Sequence, residues 1–236
     1  MASCLMCQKR LPRTLTIREI LSWRKVTADT ICETCKAAFT VINESKACPQ
    51  CGRNQANQEI CQDCQRWHLM PNTLKIKNRG LFQYTPTMHD YMHQYKFNGD
   101  LRLAKVFQHA VQLAVDAAQV DVVIPVPVSD TTFDHRGFNQ SAELLQLIVE
   151  NRHHPVVCPA LKVVTRDKQQ QSKQGRKDRM TRTQPFVIDP NYVEKLRGNK
   201  ILIFDDVYTT GRTLHFAAQA LQTVEATSLI GLTLAR

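Results

Sequence analysis

The chain lacks any apolar run approaching the ~18 residues that a membrane-spanning helix needs. Its mean hydropathy of -0.33 suits a protein in water. The first ten residues, M-A-S-C-L-M-C-Q-K-R, hold no apolar stretch of signal-peptide length, so a cytoplasmic protein is expected. Acidic residues are scarce: 21 Asp and Glu stand against 31 Lys and Arg, a formal charge of +10. The deficit is uneven. Residues 1–80 carry 13 basic and 6 acidic side chains, the remaining 156 carry 18 and 15, and Lys162–Arg182 alone holds eight basic against two acidic. Two separate regions are therefore basic, and each suits polyphosphate or nucleic acid, a solvated face being the plainer alternative. With 236 residues and 43% hydrophobic content, there is material for one ordinary domain with a packed core and a smaller second one.

The first 75 residues are short of core residues and rich in cysteine. Eight of the nine cysteines form four C-x-x-C pairs: Cys4/Cys7, Cys32/Cys35, Cys48/Cys51 and Cys61/Cys64. Each pair presents two thiolates to one tetrahedral ion, so the four supply ligands for two Zn2+ sites. All-thiolate sites leave no open coordination position, which makes the zinc structural. Disulfides need an oxidising compartment, which nothing in the sequence indicates, and a redox role needs one such motif rather than four. Sequential pairing puts Cys4, Cys7, Cys32 and Cys35 on one ion and Cys48, Cys51, Cys61 and Cys64 on another; a cross-braced arrangement joins the first pair to the third. Pro49 and Gly52 shape a tight knuckle close to Cys61, which favours the sequential grouping. Metal then stands in for the missing hydrophobic core. The expected organisation is a small Cys-rich zinc-ribbon domain over residues 1–75, with one or two ions, followed by an α/β domain over residues 76–236. Trp67 is expected to pack the ribbon onto that domain, and Cys158 to be an ordinary buried or half-buried thiol.

Beyond the cysteines, polar and basic Pro71–Gly80 predicts a linker, and Leu81–Tyr84 a short strand. Asp90–Lys96 predicts a short helix, and Leu101–Ala118 a clearer one, with apolar residues at three- and four-residue spacing. Val122–Ile124 is a buried strand ending in Pro125-Val126-Pro127. It leads through a loop to R-G-F-N-Q (Arg136–Gln140) and a helix from about Ser141 to Glu150. Leu161–Val164, Phe186–Ile188 and Ser228–Leu234 predict further strands, the last completing the sheet. Arg166–Thr183 has no apolar periodicity and reads as a loop. Its Arg166, Lys173, Arg176 and Arg179 are candidate contacts either to phosphate or, as a basic arm, to nucleic acid.

The stretch Ile201–Leu214, I-L-I-F-D-D-V-Y-T-T-G-R-T-L, carries the most chemistry. Four apolar residues predict a buried strand, Asp205 and Asp206 follow, and Thr209, Thr210, Gly211 and Thr213 form a turn into a helix. Gly211 allows a tight turn, while the amides before the helix and the three threonine hydroxyls can donate to phosphate oxygens. The two carboxylates cannot usefully face the same phosphate, so neighbouring hydroxyls or a metal are their expected partners. A threonine-capped strand-turn-helix with solvated acids is the plain alternative.

This stretch resembles the 5-phosphoribosyl-1-diphosphate (PRPP) loop of type I phosphoribosyltransferases at every position. The resemblance implies a parallel sheet flanked by helices, PRPP held by Asp205, Asp206, Thr209, Thr210, Gly211 and Thr213, and Mg2+ accompanying it. If transfer occurs, Asp205 and Asp206 are the catalytic candidates. The P-V-P segment with R-G-F-N-Q, Tyr95–Asp100 and the terminal Leu234-Ala235-Arg236 narrow the likeness to the ComF-type competence proteins, which join a cysteine-rich zinc finger to such a domain. That places Arg136 opposite the pyrophosphate of PRPP, a surface salt bridge being the alternative. Asn139 is read as a possible helix cap. It further implies a DNA-uptake protein that binds single-stranded DNA, works with a helicase-like partner and is recruited to a membrane-associated complex. Two alternatives stand beside it: an active phosphoribosyltransferase of nucleotide metabolism, and a zinc-finger docking platform without DNA contact of its own. Position 2 is alanine, which removes the nucleophile of an amidotransferase. No glycine lies between Pro125 and Asp134 to present amides to pyrophosphate, and no acceptor pocket is readable.

Overall fold

The computed structural model describes residues 3–11, 30–70, 74–149, 155–164 and 185–236. Arg166, Lys173, Arg176 and Arg179 lie outside them, as does Glu150 at the end of the expected helix.

In the Cys-rich segment, helices α1 (Glu33–Ala37) and α2 (Gln62–Leu69) begin directly after Cys32 and Cys61. Five parallel strands then form the sheet in the order β1 (Lys77–Phe82), β7 (Ser228–Ala235), β6 (Lys200–Val207), β2 (Val122–Pro125) and β3 (Val156–Val157). All of β2 and Ile201 to Asp206 of β6 are buried. Unbroken burial of this kind marks parallel strands covered on both faces. On one face, α3 (Pro86–Phe97), α4 (Ala104–Ala118) and α6 (Gln140–Leu144) pack Tyr91, Tyr95, Phe107 and Leu144 against Val123, Leu202 and Phe204. On the other, α9 (Arg212–Ala220) and α8 (Val193–Leu196) pack Leu214, Ala217 and Leu196 against Ile124, Ile201 and Ile203. This is the α/β fold with helix-flanked parallel strands that the sequence predicts.

Several elements differ from expectation. Strand β1 begins at Lys77, inside the stretch expected as a linker, because its inward positions are not apolar. Asn78 is 3% exposed and donates to Cys51 O at 3.2 Å and Thr233 Oγ1 at 3.1 Å. A Cβ on Gly80 would lie 2.7 Å from Arg236 Cβ and 2.9 Å from Ile42 Cδ1, so only glycine fits. Strand β7 lies inside the sheet, leaving β1 as its edge. Strands β4 (Leu161–Val163) and β5 (Phe186–Ile188) form a separate antiparallel pair. Residues expected as a loop before Arg136 include α5 (Asp130–Arg136), which buries no side chain and therefore shows no periodicity. The helix expected from Ser141 is divided into α6 and α7 (Gln146–Val149).

The outer edge of β1 is covered by the Cys-rich segment. Ile42 N–H donates to Leu81 O, Gln83 N–H to Thr40 O and Asn78 N–H to Gln50 O, which removes an edge open to aggregation. The segment straddles that edge. Cys4, Ile31 and Phe39 join the core on one face, while Cys48, Cys51, Cys61 and Cys64 join the other. The division expected at residue 75 lies beside residues 71–73, which are outside those described. Among the described residues no helix is long and apolar enough to cross a membrane.

Candidate ligand site and metal centres

Strand β6 brings Asp205 and Asp206 to the carboxyl edge of the sheet, where they are only 7% and 4% exposed. Asp206 Oδ2 lies 2.8 Å from Lys96 Nζ at the end of α3. Asp205 Oδ1 accepts from the Asp206 N–H at 2.9 Å and from Ser141 Oγ at 3.4 Å, on α6. Burial, followed by the Asp206 charge, pushes the Asp205 carboxyl up to about 8 against the opposing pull of that N–H, Lys96 and Ser141. One acid is therefore matched with an ammonium, and the other is held toward its protonated form by burial.

After Val207 the chain turns through Tyr208-Thr209-Thr210-Gly211 into α9. Gly211 has φ +82°, in the left-handed region, and a Cβ there would sit 2.1 Å from Tyr208 Oη. Only glycine fits, for two independent reasons. Thr209, Thr210 and Thr213 are exposed around the first turn of α9. The Arg212 N–H donates to Thr210 Oγ1 at 3.5 Å, and a helix start with exposed hydroxyls suits an anion.

The back of this loop is held by side chains that sequence reasoning does not assign to it. Arg236 Nη1 donates to Thr209 O at 2.8 Å and Tyr208 O at 3.3 Å, and its guanidinium lies 4.6 Å over the Tyr208 ring. Trp67 Nε1 donates to Thr210 O at 2.8 Å, and its ring stacks on His215 of α9 at 4.1 Å. His215 Nδ1 lies 2.9 Å from Leu74 O, and burial holds that imidazole below its ordinary value. The available signal for Trp67 is its indole N–H, which needs an acceptor when packed; Arg236 and Lys96 carry none beyond their charge.

Arg136 ends α5 and lies 5.8 Å over the Phe97 ring, and its Nη1 donates to Gln140 Oε1 rather than to a carboxylate. Gln140 precedes Ser141, so α6 joins Arg136 to the acid pair through adjacent side chains. Ser129 caps α5 by accepting from Thr132 N–H at 3.2 Å. Asn139 caps α6 by accepting from Ser141 N–H at 2.9 Å, and donates to Val126 O at 3.0 Å.

The thiols fall into two groups, Cys4/Cys7/Cys32/Cys35 and Cys48/Cys51/Cys61/Cys64, each with its sulfurs within 4.8 Å of one another. This is the sequential grouping. Separations of 3.7 Å for Cys7–Cys32, 3.6 Å for Cys51–Cys61 and 3.9 Å for Cys48–Cys64 lie close to the ~3.8 Å edge of a tetrahedron with Zn–S bonds of ~2.3 Å. Both groups fit Zn2+, and in the second all four cysteines are buried. Hydrogen bonding from Cys64, with help from Arg236, brings the Cys51 thiol down, while the same contact and burial push Cys64 up, so without an ion the group favours the thiolate at Cys51 over that at Cys64. Elemental analysis should find two zinc ions per chain, falling to one in Cys48→Ser; one ion in the unaltered protein would rule out a second occupied centre.

The phosphoribosyl transferase domain family matches residues 135–236, from the end of α5 to the terminal arginine. Strands β1 and β2 of the same sheet lie ahead of that match. Competence protein ComFC of Bacillus subtilis (strain 168) is 29% identical over 239 aligned residues, covering 99% of this chain and 94% of its own. The chain is a homologue of the ComFC proteins. Competence protein ComFC of Streptococcus pneumoniae (strain ATCC BAA-255 / R6) is also 29% identical, over 219 residues and 93% of each chain. Likeness to these ComFC proteins thus spans the Cys-rich segment as well as the sheet, whereas the phosphoribosyl transferase match begins only at residue 135.

Proposed function

We propose that this chain serves competence as a DNA-handling accessory, holding PRPP or a related phosphoribosyl group in the Asp205–Thr213 cradle. One observation carries the reading: a preformed turn with exposed threonines and a forced left-handed glycine stands directly after a buried acid pair. Amides and hydroxyls of residues 209–213 receive the 5-phosphate, Asp205 and Asp206 receive the ribose hydroxyls, and Arg136 faces the pyrophosphate. Asp206 is already matched by Lys96 and burial favours the protonated form of Asp205, so the pair is poorly suited to chelating a cation directly. Mg2+ would instead travel on the pyrophosphate oxygens. Calorimetric titration of PRPP, with and without Mg2+, tests the cradle. Binding is expected to weaken at least tenfold in Thr210→Ala, and heat-free titration of the unaltered chain would discard the site.

We place single-stranded DNA beside this cradle, with a helicase-like protein as the further partner. Exposed rings follow one face of α3. His89, His93 and Phe97 recur every fourth residue with centroids 6.4 and 5.3 Å apart, Tyr84 lies 6.4 Å beyond His89, and the Arg136 guanidinium covers Phe97. A row of flat rings ending in a cation suits unpaired bases and their phosphates. Affinity for an oligonucleotide should fall steeply with salt and drop further in a Phe97→Ala, His93→Ala variant. A flat salt response, or an unchanged affinity in the variant, would instead make this face a protein-docking surface.

A further inference from the structure

We infer that Arg236 and Trp67 are positioning residues for the phosphate turn, and that through them the metal at Cys48, Cys51, Cys61 and Cys64 sets the shape of that turn. The effect on ligand affinity rests on the cradle proposed above; the effect on the turn does not.

Three consecutive carbonyls, those of Tyr208, Thr209 and Thr210, accept from Arg236 or Trp67. In a trans peptide the C=O and the following N–H point in opposite directions. Drawing these three oxygens back toward the Cys-rich segment therefore turns the N–H groups of Thr209, Thr210 and Gly211 the other way, toward the anion position. Successive amides aimed at one point make an anion-binding concavity. The clamp thus arranges the donors before any ligand arrives, which lowers the ordering cost of binding.

Both clamping side chains depend on the second thiol group. Arg236 Nη2 lies 3.4 Å from Cys51 Sγ and 3.9 Å from Asp63 Oδ2. Asp63 sits between Cys61 and Cys64 on α2 and also binds Arg53 at 2.5 Å. Trp67 is on the same helix, whose N-cap is Cys61 and whose first turn holds Cys64. An ion shared by the four thiolates fixes α2 against the Cys48–Cys51 knuckle, and with it the positions of Asp63, Trp67 and Cys51. Without the ion, four buried sulfurs lose their common partner and both clamps lose their footing.

Hydrogen exchange read by mass spectrometry over residues 208–213 of the full chain tests this. Trp67→Phe keeps the stack on His215 and removes only the N–H; Arg236→Ala removes the other hand. Exchange at the hydrogen-bonded Tyr208 and Arg212 amides of this segment should speed about tenfold in Trp67→Phe, which loses one hydrogen bond, with zinc content unchanged, and further in Arg236→Ala, which loses two, with β2 unaffected in both. Cys51→Ser should speed the same segment while releasing one zinc. PRPP affinity should fall about tenfold in Trp67→Phe. Unchanged exchange over residues 208–213 in both Trp67→Phe and Cys51→Ser would overturn the inference. If Arg236→Ala unfolds the chain, Trp67→Phe decides. Faster local exchange in a chain that binds no PRPP would leave the clamp standing and remove the ligand assignment instead.

Discussion

Gly211→Ala should cost the loop its shape, with PRPP affinity reduced at least ~100-fold and the unfolding midpoint clearly lowered. The backbone at this position has φ +82°, which costs a residue with a Cβ ~1–3 kcal/mol by itself. The added methyl would also lie 2.1 Å from Tyr208 Oη and 2.4 Å from Cζ. The tyrosine has no way to retreat, because it is 5% exposed and pinned beneath the Arg236 guanidinium. The two causes are separable. Asparagine tolerates the left-handed region better than alanine but cannot relieve the clash, so Gly211→Asn should be at least as damaging. Denaturant unfolding and calorimetry on both variants check this. Recovery in Gly211→Asn would mean that backbone strain, and not the Tyr208 contact, governs the position.

Asp205 should give stability a pH dependence opposite to that of an ordinary ion-paired carboxylate. In the unfolded chain it titrates near 4, whereas burial first and the Asp206 charge second hold it up to about 8 in the fold. Between those values the folded chain keeps a proton that the unfolded chain has lost. The stabilising contribution is fully present below about 4, declines as pH rises, and is gone above about 8. Asp205→Asn keeps the shape and removes the charge, so it should flatten this decline and exceed the unaltered chain in stability at pH 9. Urea midpoints at pH 5, 7 and 9 supply the comparison, and parallel pH profiles for the two chains would show that Asp205 titrates normally. A ribose hydroxyl donating to Asp205 favours its ionised form, so PRPP uptake near neutral pH should also release a proton.

The cysteine spacing, the D-D-x-x-T-T-G turn and the buried β2 and β6 strands were legible in the sequence because each depends on residues adjacent in the chain. Strand β1 was not, since Asn78 and Gly80 satisfy the fold by a hydrogen bond and a close approach instead of by apolar burial. Lys96 and Ser141 were equally hidden. Ser141 reaches Asp205 across 64 residues, and Trp67 reaches Thr210 across 143. No local pattern encodes such a distance. Helix α5, with no buried face, left no periodicity to read.

By itself, then, the sequence determined the chemical inventory: four C-x-x-C pairs, an acid pair at a strand end, and a hydroxyl-and-glycine turn opening a helix. Those are consequences of chain spacing and side-chain type. Only the tertiary structure decided which acid meets an ammonium and which keeps a proton, that β7 lies inside the sheet, and that the second thiol group backs the turn. Protonation and loop shape depend on how much water is excluded and which donors are within reach. Both are set by residues brought together from opposite ends of the chain.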